Sequence, residues 1–447
     1  MNILRNLIKQ LAKLYFFVND KGNKKKQYIP VSGKVLNSEL LENLIDASLD
    51  MWLTTGRFNK KFEKALREFF DHKYALTVNS GSSANLLAFS SLTSHLLGER
   101  QIKKDDEVIC VAAAFPTTVN PIIQNSCIPV FVDIERDTHN INTKQIKEAI
   151  SEKTKAIFIA HTLGNPFNLR EVKSICDQYN LWLIEDNCDA FGSRFDSKLT
   201  GTWGDISTLS FYPAHHITTG EGGAVLTSNP ILYKALLSMR DWGRDCWCPS
   251  GEDNTCGKRF SFKLGNLSQG YDHKYIYSHI GYNLKITDMQ AACGLAQIKQ
   301  VNKFIESRKA NFKYLFEAFK NFEKYFYLPV YLQGSDPSWF GFPLTIRENV
   351  DFSRVDLVSF LEENNIGTRL LFGGNILRQP AYLVSNYKFK VRNSKILTAS
   401  DIDDFIYEQL PETDYVSSNT FWIGTYPGLS NDDLDHIIHT VDSFLKR

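Results

Sequence analysis

The chain has 447 residues, 43% hydrophobic and 23% charged, with a formal net charge of +1. That length supports more than one domain around a sizeable core. A charge so near zero provides no global field for nucleic acid, and no apolar run is long enough to span a bilayer; neither nucleic acid binding nor membrane insertion is expected.

The opening MNILRNLIKQLAKLYFFV has the apolar look of a secretory leader. Arg5, Lys9 and Lys13 interrupt it at helical spacing, and no small-residue cleavage site follows. An amphipathic helix is therefore expected, and with it a cytoplasmic protein whose thiols are reduced. DKGNKKKQYIP then reads as a basic loop or arm. From about Asn59 an α/β rhythm begins. NKKFEKALREFF has helical periodicity, YALTVNS reads as a strand and SSANLLAFSSLTSHL as a helix. Further strand-like runs are DEVICVAA, IPVFVDI, TKAIFIA, LWLIEDN, ISTLSFY and GAVLTS, most of them separated by helical stretches. Such alternation predicts a mainly parallel, doubly wound sheet, with ligands bound beyond the carboxyl ends of its strands. Residues 244–278, rich in Gly, Asp, Asn, Lys and Cys, break the rhythm as an inserted loop. TDMQAACGLAQIKQVNKFIESRKANFKYLFEAF reads as a long helix or helix pair, and the pattern is mixed α+β from about 325. The expected organisation is an N-terminal helix and arm over 1–50 packing with the small domain, a large domain over 51–310 and a smaller C-terminal α+β domain over 311–447.

Several polar motifs fall at predicted strand ends. NSGSSAN, residues 79–85, follows a strand and opens a helix. Gly81 permits a tight turn, and the N–H groups of Ser82 and Ser83 at a helix N-terminus suit a phosphate, although simple capping gives the same pattern. LIEDN ends a strand on Glu185 and Asp186. A carboxylate there is either an exposed strand end or a buried partner for a protonated heterocycle nitrogen. Phe115, in AAFPTTVNP, offers a ring either to a flat cofactor or to the core. SFYPAHHITTGEGGAV places His215 and His216 side by side between two strands, as loop histidines or as a proton carrier.

Taken in order, phosphate loop, aromatic, strand-end carboxylate and SF…GEGG resemble the DegT/DnrJ/EryC1/StrS sugar aminotransferase family, from about residue 30 to the end. GYNLKITDMQAACGLAQI, residues 281–298, is similar to that family's GYN.R.TD.QAA.GL.QL segment. The resemblance implies a fold-type I pyridoxal phosphate (PLP) transferase. It places the cofactor phosphate at Ser82, Ser83 and Ser210, the pyridine nitrogen at Asp186, and Asn283 of a neighbouring subunit at the phosphate, hence a homodimer. In most of the family the SF…GEGG segment carries the lysine that binds the cofactor covalently; here its position is His215. Imidazole forms no Schiff base but can move a proton at the C4′ carbon, which implies a site keeping pyridoxamine 5′-phosphate (PMP), as in the family's 3-dehydratases. Asp189, in EDNCDA where the family reads EDAAHA, and Tyr212, in place of the histidine of SFH, are two further departures near the cofactor.

Cys188, Cys246, Cys248 and Cys256 follow a C-x57-C-x-C-x7-C spacing. Four thiolates suit a 2Fe-2S iron–sulfur cluster or structural zinc. The spacing resembles the cluster motif of the 3-dehydratase branch that acts on a CDP-linked 4-keto-6-deoxy sugar. That branch takes electrons from an NADH-dependent flavin iron–sulfur reductase, toward the 3,6-dideoxyhexoses of O-antigen. A GDP-sugar 3-dehydratase without a cluster, and a non-catalytic regulatory homologue stapled by zinc, are the alternatives. Cys110, Cys127, Cys176 and Cys293 read as buried core thiols. Arg369 and Arg378, in GTRLLFGGNILRQPAY, are candidates for a substrate diphosphate.

Overall fold

The computed structural model describes residues 2–19 and 28–447. Most of the basic stretch expected as a loop or arm, Asp20–Gln27, lies outside the described residues.

Helix α1 spans Asn2–Asn19. It is amphipathic as expected, but its charged side faces the body: Arg5 bonds Asp46 and Asp50 of the next helical segment, and Lys9 pairs with Asp46. Ion pairing thus orients it, leaving Leu7, Leu11 and Leu14 exposed. Helices α2 (Ser38–Ser48) and α3 (Arg57–Phe70) follow. Arg57, opening α3, also bonds Asp46 and Asp50, so one acidic pair joins three helices.

The predicted strand runs all form: β1 Tyr74–Val78, β2 Glu107–Val111, β3 Ile128–Val132, β4 Thr154–Ala160, β5 Trp182–Asp186, β6 Ile206–Ser210 and β7 Gly223–Thr227. Helices α4 (Gly81–Ser91), α5 (Pro116–Gln124), α6 (Thr143–Ala149), α7 (Leu169–Tyr179) and α8 (Pro230–Arg240) connect or flank them. The sheet order is β1-β7-β6-β5-β4-β2-β3, continued by Lys388–Val391 and Leu397–Thr398. Pairing is parallel from β6 to β3, and β7 lies antiparallel between β6 and β1. Residues 388–398 therefore return from the C-terminal part to edge the large sheet, with Lys390 and Val391 parallel to β3. Strands β2, β3, β5 and β6 are buried along their whole length, as a sheet covered on both faces requires.

The helix pair predicted after residue 287 is α9 (Asp288–Ile298), started by a Thr287–Gln290 capping box, and α10 (Val301–Phe319). Beyond it, Phe326–Tyr327, Gly341–Ile346, Thr420–Gly424 and Arg369–Leu370 form an antiparallel four-stranded sheet. Phe312 and Phe319 of α10 pack on Phe342 of that sheet. Among the described residues no helix is long and apolar enough to cross a membrane.

Candidate functional site

Asp186 ends β5, in register with Ala160 of β4 and Thr208 of β6. It is buried and held by three donors. Asn85 Nδ2 (2.8 Å) and Thr118 Oγ1 (2.7 Å) reach its Oδ2, and the Cys188 N–H (3.2 Å) reaches Oδ1. Thr208 donates to Asn85 Oδ1 at 2.6 Å, which turns the amide's NH2 toward the carboxylate. The strand-end reading is thereby resolved: Asp186 is interior and fixed from α4, α5 and its own loop. Glu185 belongs to a different network. It accepts from His161 and from the N–H groups of Gly201, Trp203 and Gly204. Burial alone would raise its pKa, and those donors hold it below the usual value.

The start of α4 lies against the end of β6. A Cβ on Gly81 would stand 2.5 Å from Ser210 Cβ and 3.1 Å from Ser210 Cα. The hydroxyl of Ser80 caps the Ser83 N–H at 3.0 Å, and Ser82 Oγ donates to Thr117 Oγ1 at 3.3 Å. The Ser83 N–H is therefore already bonded to the Ser80 hydroxyl. What the fold gathers is a group of serine and threonine hydroxyls at the facing N-termini of α4 and α5, where the helix dipoles favour an anion. Gly81→Val should move this loop off Ser210. Titrated by absorbance, its affinity for the cofactor phosphate ester should fall at least about tenfold, and the overpacking should lower the melting temperature as well.

Phe115 immediately precedes α5 and is 49% exposed, so it is not a core residue; Tyr212 is 52% exposed. Both rings are therefore free to form walls of an open site.

The β6–β7 loop is pinned at Phe211, which exchanges backbone bonds with Gly222 and Thr219, and a turn from Tyr212 to His215 closes at 2.9 Å. The two histidines then diverge. His216 is buried and anchored by its Nε2, which bonds the Ser338 carbonyl at 2.9 Å, although its Nδ1 has no hydrogen-bond partner. His215 Nδ1 lies 3.4 Å from Asp189 Oδ1 and has no hydrogen-bond partner, while 16% of its side chain remains open. Burial pushes His215 down to about 4, with Arg308 adding to the effect. Burial and the Asp186 charge push Asp189 up to about 8. An uncharged, reachable imidazole beside an uncharged carboxyl can accept a proton at neutral pH. The two departures at 189 and 215 thus meet in space.

Asn283 is exposed, and its side chain makes no hydrogen bond with the described residues. Its backbone pairs with Asp241, so the site of its own chain does not recruit it. Arg378 makes a two-pronged pair with Asp414 (2.5 and 2.8 Å). Arg369, on an exposed edge strand, donates from its side chain to the neighbouring Thr368 carbonyl.

Three of the four spaced cysteines come together. Cys246, Cys248 and Cys256 line one small cavity with Asn254, Arg259, His273 and Lys274. The Cys248 N–H points at Cys246 Sγ (3.5 Å) and the Lys258 N–H at Cys256 Sγ (3.4 Å). Burial opposes ionisation of Cys248, but Thr255, which donates to its Sγ at 3.0 Å, together with backbone N–H groups and Cys246 lowers that thiol on balance, whereas burial raises Cys246. Arg259 with Asp272 and His273 with Asp245 brace the loop. Cys188 does not join them. Its thiol is buried against Asp186 and Thr208, and burial drives its pKa far up. Among the described residues no group of three or more His, Cys, Asp or Glu side chains is arranged to hold a metal ion, so the four-thiolate set is not assembled. Cys110, Cys127 and Cys176 are buried as expected, while Cys293 is only partly so.

Sequence reasoning did not single out Asn85, Thr118, Thr208 or Arg308. Asn85 stands one helical turn after Gly81 inside NSGSSAN, and Thr118 inside the segment of Phe115, so position was the available signal. Arg308 gave none, because helix periodicity alone does not mark a buried arginine.

The model of the DegT/DnrJ/EryC1/StrS aminotransferase family matches residues 35–442. The chain is 54% identical to lipopolysaccharide biosynthesis protein RfbH of Salmonella typhimurium, over 99% of this chain and 98% of that one. It is 48% identical to the dTDP-4-dehydro-2,6-dideoxy-D-glucose 3-dehydratase of Saccharopolyspora spinosa, over 93% and 86%. Among solved structures, E. coli GDP-4-keto-6-deoxy-D-mannose-3-dehydratase with bound hydrated PLP superposes with a TM-score of 0.80 at 28% identity, over 92% of this chain and 98% of that one. The fold is that of a fold-type I PLP enzyme, and the chain belongs to the DegT/DnrJ/EryC1/StrS aminotransferase family.

Proposed function

We propose that the chain is a PMP-dependent 3-dehydratase of a nucleotide-linked 4-keto-6-deoxy sugar. One observation carries the reading: the open imidazole of His215, with an unpartnered Nδ1, 3.4 Å from Asp189. The chain's residues fit the cofactor. The His215 side chain is 16% open, Gly81 leaves the phosphate loop flush on Ser210, and Asp186 is fixed by three donors. When bound, PMP supplies an amine for the C4 ketone and a ring that withdraws electrons from C4′.

The protein's own residues do the rest. Asp186 pairs with the pyridine nitrogen, and Asn85 and Thr118 keep it from rotating. Ser82, Ser83 and Ser210, with the α4 N-terminus, hold the phosphate, while Phe115 and Tyr212 flank the ring. His215 takes the C4′ proton as the C3 hydroxyl departs. With no lysine at this position, the chain has no route to covalent anchoring there. Asn283 of a partner subunit completes the phosphate site in the homodimer that the family segment implies.

In its finer form the reading is reductive and CDP-specific. Removing the C3 oxygen while keeping the ketone takes up two electrons and two protons and releases water. The electrons come from an NADH-dependent flavin iron–sulfur reductase. Cys246, Cys248 and Cys256, with Cys188, are the residues that would hold a 2Fe-2S cluster, which transfers electrons singly. The cysteine spacing and the convergence of three thiols support this form, as does the relative named for lipopolysaccharide biosynthesis, the setting of O-antigen 3,6-dideoxyhexoses. The placement of Cys188 against Asp186 favours a second form, a cluster-free dehydratase like the GDP-sugar enzymes. Anaerobic purification, a visible spectrum and assays for iron and acid-labile sulfide decide between them. The reductive form predicts about two of each per chain. Zinc without sulfide, or no metal, would leave the cluster-free form or a zinc-stapled regulator.

A further inference from the structure

Arg308, on α10, is 1% exposed and, among the described residues, the largest side chain that the fold closes off completely. An ion in such a place normally has a bonded counter-ion, yet no carboxylate is hydrogen-bonded to it. Its N–H groups go to backbone carbonyls instead. Nη1 donates to Trp339 (3.3 Å) and Phe340 (3.1 Å), Nη2 reaches the carbonyl of His215 at 3.5 Å, and Nε has no partner. The nearest acid is Asp189, the residue facing the His215 ring, whose charge reaches Arg308 only when that carboxyl is ionised.

The three carbonyls belong to the two segments that frame the imidazole. The Phe340 ring stands 5.0 Å from the His215 ring, centroid to centroid, and 5.8 Å from the Arg308 guanidinium carbon. His216 ties the same loop to Ser338 at 2.9 Å. Residues 338–340 are therefore a backing plate for the histidine loop, and Arg308 fastens plate and loop together. A methionine would fill the volume without the desolvation cost, so packing alone does not account for an arginine.

We propose that Arg308 is a positioning residue for His215, fixing its peptide on the 339–340 segment so that the imidazole is set between Phe340 and Asp189. The inference rests on the reading of His215 as the proton carrier.

The test uses the full chain with Arg308→Met, which fills the space without donors, and Arg308→Lys, which keeps a charge and part of the bonding. Arg308→Met should lower kcat about 30-fold, with KM for the nucleotide sugar and PMP affinity within about twofold. Arg308→Lys should recover most of that loss. A second readout needs neither cofactor nor substrate. With histidines 13C-labelled at Cε1, the resonance missing from His215→Asn identifies His215, and it should shift or broaden in Arg308→Met. An unchanged kcat, or an unchanged His215 resonance, would overturn the proposal; if Arg308→Met fails to fold, the same two readings on Arg308→Gln, too short to bond both segments, decide in its place. If His215→Asn is itself fully active, the functional reading fails instead. If it is inactive while Arg308→Met is normal, only the role of Arg308 fails.

Discussion

Replacing His215 with asparagine is expected to cut turnover by about 10³-fold while the chain still binds PMP. Asparagine approximates the ring's first polar atom and cannot carry a proton, so the change removes proton transfer and little else. The environment argues for a large effect. The imidazole is desolvated, its pKa is pushed down to about 4, and its Nδ1 has no other occupation. His216→Asn supplies the control. That ring is buried and bonded to Ser338, so its loss should lower the melting temperature more than the rate. Steady-state kinetics with PMP titration on both variants checks the contrast. Equal rate losses at 215 and 216 would mean that the two side chains were assigned wrongly.

Asp186→Asn is expected to be at least as damaging, with both weaker PMP binding and a rate loss of about 10³-fold. The substitution keeps shape and removes charge. Asn85 Nδ2 and Thr118 Oγ1 both donate to Oδ2, and the Cys188 N–H donates to Oδ1. An amide in that place must turn its NH2 toward one of these donors, leaving a buried group unsatisfied at about 1–3 kcal/mol. It also ceases to stabilise a protonated pyridine nitrogen, which is what makes the ring draw electrons. Thr118→Val, which removes one donor and keeps the carboxylate, should cost far less. A fully active Asp186→Asn would refute the role given to the carboxylate.

Much of the large sheet was legible because its strands are continuous apolar runs between helical periods, and such runs have few alternatives once both faces are covered. Position marked Asp186, Gly81 and His215, which fall at or just beyond strand ends where a parallel sheet opens its crevice, and the family resemblance added Ser210 and the role of each. Four features were beyond that logic. The return of residues 388–398 to edge the sheet depends on two short strands whose pairing is non-local. The separation of His215 from His216 depends on which ring meets Ser338, a contact 122 residues away. The position of Cys188 depends on tertiary packing against Asp186 and Thr208, which spacing along the chain does not encode. The outward apolar face of α1 belongs with these: amphipathicity was readable, but the side that docks is set by Asp46 and Asp50.

The central claim is that the C3 oxygen leaves at a site where His215 stands in place of a lysine. The direct measurement is to incubate the chain with PMP and a nucleotide-linked 4-keto-6-deoxy sugar in 18O-water and to follow the sugar by 13C NMR and mass spectrometry. Loss of the C3 oxygen is predicted, seen either as a 3-deoxy product or as 18O at C3 of recovered substrate, with neither in His215→Asn. Accumulation of a 4-amino sugar that retains its original C3 oxygen would contradict the account and make the chain an ordinary transaminase.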